Sequence, residues 1–130
     1  MKIGDAAKGS GLPVKTVRYY ADIGLVTPGR GANGYRDYGE AELKRLAFIG
    51  RARAFGFSIE ECRRLLGLYD DPHRASADVK ALAEAHIAEL DEKLARLNTL
   101  REELASIASA CAGDDGARCP IIDHLAASGA

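Results

Sequence analysis

The chain of 130 residues has no apolar run of 18 or more residues and no N-terminal apolar run of signal-peptide type. Neither a membrane-spanning helix nor a secretory leader is expected, so the sequence reads as a soluble, cytoplasmic protein with no membrane partner. Cysteine is scarce. Cys62, Cys111 and Cys119 are the only three, a poor disulfide framework in a reducing compartment, where reactive or metal-binding thiols are the better expectation. No Ser/His/Asp set, paired carboxylates or phosphate loop is visible, which argues against an enzyme. Internal repeats and low-complexity segments are absent too.

Charge is present but unevenly spread. Residues 1–56 hold ten Lys/Arg and five Asp/Glu, a balance of +5, and residues 57–130 hold eight and fourteen, a balance of −6. A basic half on a nearly neutral chain points to a polyanionic partner for that half alone. Its local pattern agrees. "IGDAAK", residues 3 to 8, reads as a short helix, "GSGLP" breaks it, and Pro13 suits the first turn of a second helix running through "VKTVRYYADIG" to Gly24. Two short helices joined by a tight glycine turn make a helix-turn-helix. Leu12 and Val17 are expected to face the core. In "LVTPGRGANGYRDY" the Asn33-Gly34 pair signals a β-hairpin, because both residues tolerate positive φ. A helix-turn-helix followed by such a wing docks on DNA, with its second helix in the major groove and basic wing residues at phosphates. The expected DNA-facing residues are Lys15, Thr16, Arg18, Tyr19 and Tyr20 on the helix and Arg30, Tyr35 and Arg36 on the wing.

Helical spacing resumes through Leu43, Leu46, Ala47 and Ile49 and stops at Gly56. Ser58 and Glu61 then have capping-box spacing. Ile59, Cys62, Leu65, Leu66 and Tyr69 form the expected buried stripe of the next helix, Cys62 among them as a small core residue. From about Ser76 to Ala110 neither proline nor glycine occurs, and Val79, Ala83, Ile87, Leu90, Leu94, Leu97, Leu104 and Ala108 recur roughly every 3.5 residues. So long an amphipathic helix needs a partner, and a second copy of the chain is the simplest one. Ile87, Leu90, Leu94, Leu97 and Leu104 are therefore expected at a homodimer interface. The alternative is a helix folded back on the N-terminal half. The expected organisation is a DNA-binding domain over residues 1–71, a dimerisation helix over 76–110 and a C-terminal loop and short helix over 111–130.

"CAGDDGARCP" closes the pattern. Thiolates are soft ligands that favour Cu(I) and similar ions, whereas structural zinc wants four ligands. His124, with His73 or His86, could add donors, although the spacing does not suggest it. Gly113 and Gly116 allow the chain to turn back so that both sulfurs converge. Cys119 lies at the start of a short helix opened by Pro120, where a thiolate is stabilised by the free N–H groups. Asp114 and Asp115 are expected to face solvent or cap the turn. A dithiol switch through a Cys111–Cys119 disulfide is the alternative.

"TVRYYADIGLVTP" with "NGYRDY" resembles the signature of the MerR family of bacterial transcriptional regulators, and the likeness runs over essentially the whole chain. Ala21 departs from it, standing where members often carry glutamate. "CAGDDGARCPIIDHL" and "SADVK" are similar to the copper-sensing CueR-type subgroup. The resemblance implies a mainly α fold: a winged helix-turn-helix, a long helix pairing as an antiparallel coiled coil, and a C-terminal metal loop. It implies a homodimeric activator that works with RNA polymerase on promoter DNA with over-long element spacing, distorting that DNA when inducer binds. The implied metal ligands are Cys111 and Cys119, the implied effector Cu(I), or Ag(I) or Au(I), and the implied targets copper-efflux and detoxification genes. Relatives that sense divalent ions place a cysteine where Ser76 stands, and that residue reaches the site from the other subunit. Ser76, itself a natural N-cap, and Lys80 are thus expected beside the ligands, Lys80 offsetting the anionic site or simply solvated.

Overall fold

In a computed structural model, residues 1–127 are described; the last three residues of the expected C-terminal segment lie outside them. The fold is mainly α, with six helices and one two-stranded ribbon in the described residues. It divides into two units, Met1–Lys80 and Ala81–Ala130.

Helix α1 (Ile3–Ser10) buries Ala6 and Ala7 and ends at Gly11, whose φ of 74° is left-handed backbone that glycine adopts without a Cβ penalty. Helix α2 (Val14–Asp22) begins one residue later than the sequence suggests. Pro13 is the N-cap, and its carbonyl accepts the Val17 N–H at 3.0 Å. Val17 and Tyr20, three residues apart, share the inward face of α2. Helix α3 (Glu40–Ala54) contributes Leu46, Ile49 and Ala52 to the same core. It crosses α1 closely at Gly9, where a Cβ would come within 2.9 Å of Leu43. Leu25, Val26 and Tyr38, all essentially buried, close the core from the segments on either side of the wing.

The wing is an antiparallel ribbon of β1 (Gly29–Arg30) and β2 (Arg36–Asp37), with Gly29 opposite Asp37 and Arg30 opposite Arg36. Its tip differs from a two-residue Asn-Gly turn with both residues at positive φ. Only Gly34 is left-handed, at φ 81°. Asn33 instead accepts the Tyr35 N–H on its side-chain oxygen at 3.2 Å, an Asx-type contact that makes the loop longer.

Helix α4 (Ile59–Asp70) is opened by the expected capping box: the Ser58 hydroxyl accepts the Glu61 N–H at 3.1 Å, and the Glu61 carboxylate accepts the Ser58 N–H at 2.9 Å. Such a cap stabilises by about 1 kcal/mol. Cys62 is wholly buried, and burial pushes its thiol above the ordinary range. Tyr69 is not part of the buried stripe. It lies half exposed, its ring 5.0 Å from that of Phe48 at the edge of the core, because at the last turn of α4 only one side of a large ring finds cover.

Helix α5 (Ser76–Ser109) runs unbroken for 34 residues, about 50 Å at 1.5 Å per residue. Ser76 is its first helical residue rather than the cap before it, and the carbonyl of Ala75 accepts the Asp78 N–H at 3.1 Å. Ile87, Leu94, Leu97, Leu100 and Leu104 all stand more than half exposed along it. The short helix α6 (Pro120–Ala126) follows the loop. No helix among the described residues is long and apolar enough to cross a membrane.

Candidate metal site and DNA-binding face

With Val17 and Tyr20 turned inward, helical geometry turns Lys15, Arg18 and Tyr19 outward, and all three are exposed, with Thr16 half-buried. Tyr20 departs from expectation: with 5 % of its surface exposed, its ring belongs to the core and is not offered to a duplex. The vicinal aromatic pair does not reveal in sequence which ring faces in; the three-residue step from Val17 does. On the wing, Arg30 and Tyr35 are exposed and Arg36 is half-buried. Arg30 donates to the Gly34 carbonyl at 3.0 Å, which stiffens the tip. Arg36 pairs with Asp22 at 2.8 Å, which ties the wing to the end of α2 and raises the guanidinium pKa further. Between helix and wing opens a groove of about 520 Å³ bordered by Lys2, Arg18, Asp22, Arg30, Tyr35 and Arg36. A second hollow, about 380 Å³, lies beside Lys15, Thr16, Tyr19 and Arg53. Lys2 and Arg53 are additions that the pattern of the helix and the wing does not single out. Only the positive balance of the segment hints at them.

Helix ends hold the two thiols of the C-terminal loop. The last turn of α5 tightens, the Ala110 N–H binding the Ile107 carbonyl and the Cys111 N–H the Ala108 carbonyl, so Cys111 is fixed where α5 stops. Cys119 is the N-cap residue of α6, and its carbonyl accepts the Asp123 N–H at 3.0 Å. Between them Gly113 takes φ 66°. Gly116 keeps an ordinary φ and instead gives its N–H to Asp114 Oδ1 at 2.9 Å, so Asp114 caps the turn. Asp115 is exposed.

This loop brings the sulfurs of Cys111 and Cys119 to 3.9 Å, both half-buried and unbonded. The backbone N–H of Ile122, then that of Ile121 and the Cys111 thiol, favour the Cys119 thiolate and lower its pKa, against opposing contributions from desolvation and Asp123. With metal–sulfur bonds of about 2.3 Å, two thiolates stand ~3.8 Å apart along a tetrahedral edge and ~4.6 Å apart across a linear ion. The observed gap lies near the first, and the exposed loop 112–118 leaves room to open to the second. The number of donors therefore decides the preference, not the gap. Among the described residues no third His, Cys, Asp or Glu donor gathers with the two sulfurs. His124 faces Glu103 instead, Nε2 to Oε1 3.4 Å. Ser76 and Lys80 stand at the opposite end of α5 from Ser109.

Two family models together cover residues 1–107, the first unit and most of α5, and stop short of the thiol loop. The "MerR HTH family regulatory protein" model matches residues 1–68, and the "MerR, DNA binding" model matches residues 43–107. The chain belongs to the MerR family. It is thus a DNA-binding transcription regulator and not an enzyme. Among MerR relatives, it is 51 % identical over 125 residues to the HTH-type transcriptional regulator HmrR of Rhizobium leguminosarum bv. viciae, covering 96 % of this chain and 97 % of that one. It is 45 % identical over 126 residues to the HTH-type transcriptional regulator CueR of Salmonella typhimurium, covering 96 % and 91 %. Among solved MerR structures, the regulator PbrR691 of Ralstonia metallidurans CH34 in complex with lead(II) superposes with a TM-score of 0.82 at 38 % identity, covering 97 % of this chain and 99 % of that one.

Proposed function

We propose that this MerR-family regulator is a metal-responsive activator that senses Cu(I), or Ag(I) or Au(I) in its place, through the thiolates of Cys111 and Cys119. The supporting observation is the isolated pair of sulfurs at 3.9 Å, a soft, two-donor set that suits a monovalent d¹⁰ ion better than a divalent one. The similarity to CueR and HmrR supports the same reading. The similarity to a lead(II)-bound regulator is the counterweight. Against it stands Ser76, an oxygen-bearing residue where the resemblance places a third thiol in sensors of divalent ions. Since α5 spans about 50 Å, a second copy running antiparallel is what would bring Ser76 and Lys80 of the partner subunit to the thiols. The exposed stripe of Ile87, Leu90, Leu94, Leu97 and Leu104 provides a surface for that pairing.

In this reading α2 and the wing hold promoter DNA through Lys15, Thr16, Arg18, Tyr19, Arg30, Tyr35 and Arg36. Metal binding then favours a bent, untwisted promoter that RNA polymerase can use for copper-efflux and detoxification genes, deformation energies being of a size that protein contacts can offset. Transcription in vitro with reduced protein, polymerase and Cu(I) tests this. Cys111→Ser and Cys119→Ser are expected to keep DNA binding and lose induction; induction that survives both substitutions contradicts the proposal. A second reading, favoured by the same short separation, has a Cys111–Cys119 disulfide switch transcription on without metal. Activation by oxidant alone would select it.

A further inference from the structure

We infer that Cys111 and Cys119 are also a site of reversible oxidation by peroxide, and that the disulfide formed there closes the loop to metal and silences sensing rather than triggering it. The silencing part rests on the metal reading above; the oxidation itself does not. Three observations carry it. The sulfurs already lie 3.9 Å apart, so closing to a bond of about 2.05 Å needs less than 2 Å of relative movement. All of the intervening residues 112–118 are exposed, and Gly113 occupies left-handed backbone, so the loop can tighten without disturbing a core side chain. Cys111 and Cys119 are themselves only half-buried, so a molecule the size of peroxide can reach them from solvent. Cys62, by contrast, is wholly buried in the other unit and takes no part.

The chemistry balances with peroxide as the sole oxidant. One thiolate attacks a peroxide oxygen, the O–O bond breaks, and hydroxide leaves, giving a sulfenic acid. The second thiolate attacks that sulfur, the S–O bond breaks and the S–S bond forms. In total two thiols lose two electrons and two protons, and one peroxide becomes two waters. A small dithiol reverses the step by exchange. The disulfide and the metal complex require the same two sulfur lone-pair sets, so each state excludes the other. A cell under oxidative load would lose its response until the pair is reduced again.

The test uses the full chain, reduced and metal-free. It is treated with a modest excess of hydrogen peroxide, cleared of oxidant, and split between intact mass with thiol counting under denaturing conditions and titration with Ag(I). The expected result is loss of two hydrogens, a fall from three free thiols to one, a peptide linking Cys111 to Cys119, and at least tenfold weaker Ag(I) binding that a dithiol restores. Three thiols surviving, or sulfinic acid formed without the linked peptide, overturns the inference. So does a linked pair that binds Ag(I) as tightly as the reduced protein. Failure of the reduced protein to bind Ag(I) defeats the metal reading and, with it, the silencing. Mass still reports the disulfide separately.

Discussion

The three cysteines occupy three different environments, and their chemistry follows from this. Cys62 sits in the core between α3 and α4, where burial disfavours its thiolate. Cys119 sits at the head of α6, where backbone N–H groups favour the thiolate. A lowered pKa means that Cys119 keeps its thiolate as pH falls through the range in which a free thiol protonates. Its alkylation by iodoacetamide should therefore follow a pH profile whose midpoint lies below that of a free cysteine derivative. Cys62 should stay unmodified until the protein is unfolded. Peptide mapping across a pH series reads both, and a Cys119 profile at or above the free-thiol midpoint contradicts the account. Among the basic residues, Arg30 projects from the wing with only the local Gly34 carbonyl as partner in the described contacts, which suits a phosphate contact. Arg30→Ala is expected to weaken promoter binding about equally on different sequences and to reduce the slope of log affinity against log salt by about 1. Binding isotherms at several salt concentrations measure it, and an unchanged slope would remove Arg30 from the interface.

At the scale of elements, α5 carries the argument. Its apolar positions follow a three-four step through Ile87, Leu90, Leu94 and Leu97; the next step falls on Arg101, with Leu100 beside it, before the pattern returns at Leu104. Leu94, 64 % exposed in the isolated chain, lies near the middle of that row. In the dimer proposed above, Leu94→Glu would place an unpaired charge in the seam and is expected to shift the chain toward monomer relative to the parent sequence. Sedimentation velocity reads the outcome; an unaltered dimer would move the interface off this stripe. Much of this scale was legible in the sequence. The Ser58–Glu61 box, Gly11, Gly24 and Gly56 at left-handed positions and the uninterrupted run to Ser109 all act within a few residues of chain, where local pattern is enough. What escaped was tertiary. The aromatic pair Tyr19-Tyr20 does not by itself say which ring finds cover, although the three-residue step from Val17 points to Tyr20, and nothing local to Tyr69 says that its ring is left half exposed. The wing tip likewise depended on Asn33 using its side chain rather than its backbone. At the site, the approach of the two thiols could be read in part from Gly113, which takes left-handed backbone, whereas the closing of the turn onto the Gly116 N–H by the side chain of Asp114 rather than Asp115 could not. The contributions of Lys2 and Arg53 to the grooves around α2 could not be read either, because they come from other elements brought alongside.

At the scale of the whole molecule, the chain separates its tasks. The basic residues proposed to face DNA lie in the first unit with the helix-turn-helix and wing, and the thiol pair lies in the second, beyond the long helix. In the proposal above the second unit supplies the two thiols and Ser76 of the partner subunit, a residue of the first unit, withholds a third, so metal choice should be measurable on the full reduced chain without DNA. The central claim is that two sulfurs, with no third soft donor, select a monovalent ion. The most direct test is a competition titration of the full, reduced chain with Cu(I) and Zn(II), each buffered by a chelator of known affinity. The account predicts one Cu(I) per subunit bound far more tightly than zinc, with binding lost in Cys111→Ser and in Cys119→Ser. Comparable affinity for zinc, or Cu(I) binding that persists in both variants, would contradict it.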